Sequence, residues 1–160
     1  MCHIACDSIF SVRAAVLDAG VLVAALRSDA GASRRILLAA LARRFELLLS
    51  VPLMLEYEAV LTRPEHLAAS RASAQDILDI LDGLAAIGRP VKLAFRWRPA
   101  LPDPNDDMVL GTAVNGHADA IVTFNQRDFN PVAVEFGCWA RLPGEFLRVL
   151  EREVRSETTR

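Results

Sequence analysis

The sequence predicts an α/β fold, a three-layer α/β/α sandwich built on a mainly parallel five-stranded sheet. Apolar runs of strand length recur at residues 14–18, 46–50, 91–93 and 120–123 and once more within 134–142. Segments of helical period separate them, long enough to serve as crossovers between parallel strands. The chain has 160 residues and is 52% hydrophobic, enough for one domain with a substantial core, and no repeat or low-complexity linker divides it.

Each element has its own signal. Ala14, Ala15, Val16 and Leu17 form a buried strand run closed by Asp18. A helical stretch over about 21–26 follows, and Gly31 with Ser33 opens a second helix reaching Arg44. Residues 46–50 are the next strand. Ser50 then caps a helix that carries Pro52 in its first turn, where a missing N–H costs nothing, and that ends near Arg63 and Pro64. Ser73 starts a long amphipathic helix to Gly88, and residues 91–93 are a short third strand. Asp103 and Pro104 open a helix to about Gly116, residues 120–123 are the fourth strand, and the fifth lies between 134 and 142. Pro143 starts the last helix. The domain is expected over 13–150, with residues 1–12 as an N-terminal extension and 151–160 as a charged tail.

Composition narrows the function classes. Net charge is −2 with pI near 5.9. A nucleic-acid substrate therefore has to be met by a local basic patch or a bound metal rather than by overall charge. Cys2, Cys6 and Cys138 are odd in number and form no C-x-x-C pair, which fits a reduced, cytoplasmic protein. No apolar run approaches the roughly 18 residues of a spanning helix, because Arg43, Arg44 and Glu46 interrupt the longest one. The first dozen residues lack the basic-then-apolar order of a signal peptide. Neither G-x-G-x-x-G nor G-x-x-x-x-G-K-[ST] is present, so a nucleotide cofactor lacks its phosphate cradle. His3, His66 and His117 share no metal spacing and suggest no Ser–His–Asp arrangement.

The informative residues are acids. In open α/β sheets, sites form beyond the carboxyl ends of the strands where strand order reverses. Asp18 closes the first strand, Glu56 sits in the first turns of the helix after the second, and Asp106 begins the helix that feeds the fourth. Asp18 also reads as a helix cap, and Asp103 and Asp107 as first-turn acids that complement a helix dipole. Asp106 shares a face with Leu110 and Ala113 and so points toward the sheet, while Asp107 is turned aside. Glu56 borders the apolar stripe made with Tyr57, and Glu58 reads as a surface charge. Carboxylates gathered without a basic partner repel one another unless a cation neutralises them, and hard oxygen ligands select Mg²⁺ or Mn²⁺. Such ions clamp phosphate oxygens and acidify bound water, as phosphodiester hydrolysis requires. The alternation Phe95, Arg96, Trp97, Arg98 reads either as an RNA-stacking clamp or as an edge strand with core-facing aromatics, and Arg34 and Arg35 read either as phosphate contacts or as solvated charge. A receiver-like signalling domain is set aside, because the only lysine, Lys92, precedes the fourth strand.

From about Arg13 to Leu150 the chain resembles the PIN-domain proteins, in the branch of VapC-like ribonucleases that act as toxins of bacterial toxin–antitoxin pairs. The resemblance rests on Val16-Leu17-Asp18-Ala19-Gly20-Val21-Leu22-Val23 and on the segment from Ser50-Val51-Pro52 through Glu56-Tyr57-Glu58 to Arg63-Pro64. It continues in Asp103-Pro104-Asn105-Asp106-Asp107-Met108-Val109-Leu110 leading to Ala113, and in Ala118-Asp119-Ala120-Ile121-Val122-Thr123. It implies a Mg²⁺- or Mn²⁺-dependent endoribonuclease acting on RNA, a cognate antitoxin protein, and a homodimer. It places the metal-binding acids on Asp18, Glu56 and Asp106, with Asn125 and Asp128 as further ligands. Ser50, Thr123 and Arg98 become candidate substrate contacts. Two departures stand out. The family usually has Asn or Ser where this chain has Gly20, and many members carry a fourth acid where it has Asn125, a neutral oxygen ligand. A module with a weakened site, acting by binding RNA or a partner protein, is the alternative outcome.

Overall fold

A computed structural model describes residues 12–94, 101 and 103–159. Residues 1–11, with Cys2, His3 and Cys6, and residues 95–100, with the Phe95–Arg98 cluster, lie outside the described residues.

Five parallel strands form one sheet in the order β3-β2-β1-β4-β5. They are β1 (Ala14–Leu17), β2 (Glu46–Leu49), β3 (Arg89–Pro90), β4 (Ala120–Val122) and β5 (Trp139–Arg141). The described residues form eight α-helices, α1 (Ala19–Arg27), α2 (Ala32–Leu41), α3 (Val51–Leu61), α4 (Pro64–Ser70), α5 (Ala74–Ile87), α6 (Pro104–Asn115), α7 (Gln126–Ala133) and α8 (Pro143–Thr158). The three-layer sandwich read from the sequence is the observed architecture, with a sheet parallel throughout. β1 is central and every one of its residues is buried, as a strand covered on both faces must be. Helices α1 to α5 pack on one another and α8 packs on α2, while α6 lies across β1, β2 and β4.

Four elements depart from the sequence expectations. The second helix stops at Leu41, and Arg43 takes a left-handed conformation (φ 57°) that turns the chain into β2. Pro64, read as a stop, instead occupies the first turn of a new helix, α4. The third strand is Arg89–Pro90 rather than 91–93: Leu48 pairs with Arg89 and Leu49 with Pro90, and Pro90 is tolerated because β3 is an edge. Helix α7 was not anticipated, since Pro131 lies inside it.

Particular contacts hold these layers in register. Asp119, just before β4, accepts the amides of Arg13 (2.8 Å) and Ala14 (3.0 Å), fixing β1 against β4. Ser73 and Asp76 form a reciprocal capping box that starts α5. The Phe45 and Phe146 rings meet edge to face at 5.2 Å, seating α8 beside the start of β2. The acidic end of α8 is tied down as well: Glu151 pairs with Arg35 at 2.5 Å and Glu153 accepts the Val12 amide at 2.8 Å. Cys138 is buried and unbridged, and burial pushes its thiol up to about 12, which leaves it unreactive.

Candidate functional site

The connection from β1 leads to β2 on one side, while β4 flanks β1 on the other, so the strand order reverses between β1 and β4. In open α/β sheets such a reversal point, beyond the carboxyl ends of the flanking strands, is where sites form. Asp18 follows β1 in extended conformation at the N-cap of α1, and its amide continues the ladder to the Val122 carbonyl at 2.9 Å. Thr123 follows β4 and is fully buried. Its hydroxyl donates to Asp18 Oδ2 at 2.8 Å and accepts the Asn125 amide at 2.9 Å. One hydroxyl thus fixes both the carboxylate and the turn beyond β4.

Asp106 enters from the first turn of α6 and is buried, at 8% exposure. The Asn125 side-chain amide donates to Asp106 Oδ2 at 3.1 Å and to Asp128 Oδ2 at 2.8 Å. Two carboxylates on one side fix the amide orientation, because an oxygen turned toward them would be repelled. Asn125, expected to offer its oxygen, presents its N–H groups instead.

The electrostatics follow from this crowding. Burial raises the Asp18 pKa, with Asp103 adding to the rise, while the Thr123 hydroxyl and the Ala19 and Gly20 amides oppose it. The Asp106 carboxyl is pushed up to about 6, first by burial and then by the charges of Asp18 and Asp103, with Asp128 adding and the Asn125 amide opposing. No ion pair among the described residues involves any of these four acids. Acids this near one another without a cation are the donor chemistry that a hard divalent ion fits. Among the described residues, however, no three His, Cys, Asp or Glu side chains are gathered closely enough to hold a metal. An amide N–H bridge fills the space between Asp106 and Asp128.

Glu56 is half-buried on α3, with no hydrogen bond or ion pair among the described residues joining it to Asp18 or Asp106. Its neighbour Tyr57, the only tyrosine of the chain, is fully buried and donates its hydroxyl to the carbonyl of Leu17, the residue before Asp18. That contact fastens α3 to the end of β1. Ser50 is also buried. It caps α3 by accepting the Leu53 amide at 3.4 Å, and its hydroxyl meets that of Thr112 on α6 at 2.7 Å. Thr112 spends its own proton on the Met108 carbonyl (2.8 Å), so Ser50 is the donor. Ser50 therefore sits between the helices that carry Glu56 and Asp106 rather than on an open surface. Arg98 lies outside the described residues.

Sequence reasoning missed three contributors. Asp103 was read as a cap, and it does accept the Asn105 amide at 2.9 Å, yet its charge also reaches Asp18 and Asp106. Tyr57 and Thr112 were visible only as polar atoms within apolar helix stretches, a signal that a buried hydrogen bond must exist. Asp107, turned aside as expected, accepts the Leu101 amide at 3.2 Å. Arg34 and Arg35 are both committed, Arg34 to Asp29 (3.1 Å) and the Ala25 carbonyl, Arg35 to Glu151.

The family model of the PIN domain matches residues 14–127, a span that includes Asp18, Glu56, Asp106, Thr123 and Asn125. No curated protein matches the sequence.

Proposed function

The chain belongs to the PIN-domain family, and we propose from that premise that it is a metal-dependent endoribonuclease, the toxin of a bacterial toxin–antitoxin pair acting in the cytoplasm. PIN domains are commonly nucleases and typically use divalent metals. The observation that supports the reading best is the placement of Asp18 and Asp106 at the reversal point of the sheet, both pKa values raised first by burial, with the charge of Asp103 bearing on both and that of Asp18 on Asp106.

In this reading Asp18, Glu56 and Asp106 would hold Mg²⁺ or Mn²⁺, with Asp128 assisting, or Asn125 once its amide turns its oxygen inward. Such an ion would supply a Lewis acid for the phosphate and an acidified water. The chain's own residues do the positioning. Thr123 holds Asp18 in place across the β1–β4 seam. Asn125 keeps Asp106 and Asp128 near each other despite their charge. Ser50 and Thr112 lock α3 to α6, and so fix where Glu56 stands relative to Asp106. The substrate role first considered for Ser50 becomes a supporting one, because its hydroxyl is buried and occupied.

Cleavage of a structured RNA at graded Mg²⁺ and Mn²⁺ tests the enzyme, with Asp18→Asn and Asp106→Asn as controls. Metal-stimulated cleavage lost in both variants supports it, and no cleavage at any metal level refutes it. One observation favours the alternative, a binding module with a weakened site: the Asn125 N–H groups stand where an additional ligand oxygen would. RNA binding without cleavage selects that reading. An antitoxin partner and a homodimer complete the proposal. Leu38 and Leu41 on α2 and Val154 on α8 are exposed apolar residues that suit such contacts, and co-purification with the product of the neighbouring gene tests the first.

A further inference from the structure

Beside the carboxylates, the turn after β4 carries Phe124 between Thr123 and Asn125, both of which belong to the hydrogen-bonded site. Its ring is 58% exposed. Leaving so large an apolar side chain in water forgoes hydrophobic burial, and the Thr123 hydroxyl bonds to Asp18 and the Asn125 amide hold the turn that presents it. A Cβ at Gly20 would lie 3.9 Å from this ring, so Phe124 stands over the start of α1, immediately beyond Asp18.

Phe124 forms one wall of a cleft of about 480 Å³, within the size range of small-molecule sites. Ala24 and Pro143 contribute apolar floor, and Arg148 of α8 lies at its edge with no ion-pair partner among the described residues. The ten-residue helix α2 also starts on this cleft. Its N-cap is Gly31, with no side-chain cap, and its first intrahelical bond runs from Arg35 N–H to Gly31 O. The earlier amides of the helix therefore have no intrahelical acceptor. Ser33, in this first turn, gives an independent sign of a ligand. It is 5% exposed and lines the cleft, and its hydroxyl has no hydrogen-bond partner among the described residues. Among the described residues no fully buried side-chain oxygen lacks a partner, so the little surface the Ser33 hydroxyl keeps opens on the cleft. Glu145, the one acid on the cleft wall, is already engaged by Gln126 at 3.2 Å and the Leu142 amide at 3.4 Å.

We infer that this cleft is a nucleotide subsite for the single RNA strand flanking the cleavage position. A base stacks on Phe124, and its phosphate is met by Arg148, the Ser33 hydroxyl and the free amides of α2. The inference rests on the nuclease reading for the position of the scissile bond, but the subsite itself needs neither metal nor turnover.

The test is fluorescence anisotropy of a labelled hexauridylate on the full chain in EDTA at low salt, where metal-dependent cleavage cannot occur. Phe124→Ala is expected to weaken binding about five-fold or more. Arg148→Glu should weaken it similarly and flatten its salt dependence. Gly31→Asp separates binding from folding. Gly31 has an ordinary φ of −74°, a Cβ there meets the Oγ of exposed Ser28 at 3.1 Å, which rotation of that side chain relieves, and an aspartate then caps α2, so the fold is retained while a carboxylate takes the phosphate position and binding falls. Absence of binding by the wild type, or unchanged binding in Phe124→Ala and Arg148→Glu with both variants folded, overturns the subsite. Loss of cleavage alone does not bear on it: a chain that binds in a Phe124-dependent way and never cuts refutes the enzyme and keeps the subsite.

Discussion

Replacing Asp106 by asparagine should stabilise the metal-free protein while removing a proposed metal ligand. Its carboxyl is raised from 3.8 to about 6 in the folded chain, so folding penalises the ionised form. The full difference corresponds to at most about 3 kcal/mol, and solvent screening at the site reduces it to about 1–2 kcal/mol. The sign is fixed by proton counting. Below pH 3.8 both folded and unfolded chains are protonated at this position and it contributes nothing. Between 3.8 and about 6 the folded chain holds the proton that the unfolded chain has released, so stability falls as pH rises, and above about 6 the loss is complete. Asp106→Asn is isosteric, keeps an oxygen for the Asn125 amide, and carries no charge to repel Asp18, Asp103 or Asp128. Thermal unfolding in EDTA should therefore show the variant roughly 2–8 °C above wild type at pH 7.5 and level with it near pH 3.5. Adding Mg²⁺ should narrow the gap by stabilising the wild type preferentially. A variant equal to or less stable than wild type at pH 7.5 in EDTA would refute the claim that the site is charge-strained without a cation.

Three further outcomes follow from the same geometry. Asn125→Asp removes the N–H bridge and adds a fifth carboxylate to Asp18, Asp103, Asp106 and Asp128. The metal-free protein should melt lower and bind Mg²⁺ or Mn²⁺ more tightly, read by calorimetric titration, and equal affinity in the two forms would dismiss Asn125 as the weak point of the site. Ser50→Ala loses both the α3 cap and the bond to Thr112, an expected cost of about 1–2 kcal/mol in urea unfolding, with lowered activity because α3 and α6 lose their tie. Gly116→Ala places a Cβ 2.8 Å from both Leu48 Cδ1 and Val91 Cγ2 and 3.0 Å from the Thr112 carbonyl, and should cost about 1–3 kcal/mol by the same measurement.

The central strands were legible because a strand buried on both faces must be continuously apolar, and Ala14–Leu17 and Ala120–Val122 are. The edge strand was not. β3 owes its place to backbone pairing with β2, which exposed Arg89 and Pro90 satisfy as well as any apolar pair, so the hydrophobic signal at 91–93 misplaced it. Helix α7 was hidden for a related reason, since only Phe129 and Ala133 of its eight residues are buried. At the site, the positions of Asp18 and Asp106 could be read from where strands end and helices begin. The partner of each could not, because Thr123 reaches Asp18 across 105 residues and Asn125 reaches Asp106 across 19. Composition says that Asn125 is neutral, and only the three-dimensional arrangement says which of its atoms faces the acids.

The seam between β1 and β4 also sets when the site can exist. During synthesis β1 emerges first, but its neighbour Val122 and the hydroxyl that holds Asp18 arrive more than a hundred residues later. Pairing of such distant segments is slow, because a long loop must close before the contacts reward it. A nascent chain that has passed Asp106 but not Thr123 owns all three proposed acids and neither the Thr123 nor the Asn125 bond that holds Asp18 and Asp106 in place. On the proposed nuclease reading, the site stays unformed on the RNA-rich ribosome that makes it until nearly the whole domain has been released and closed.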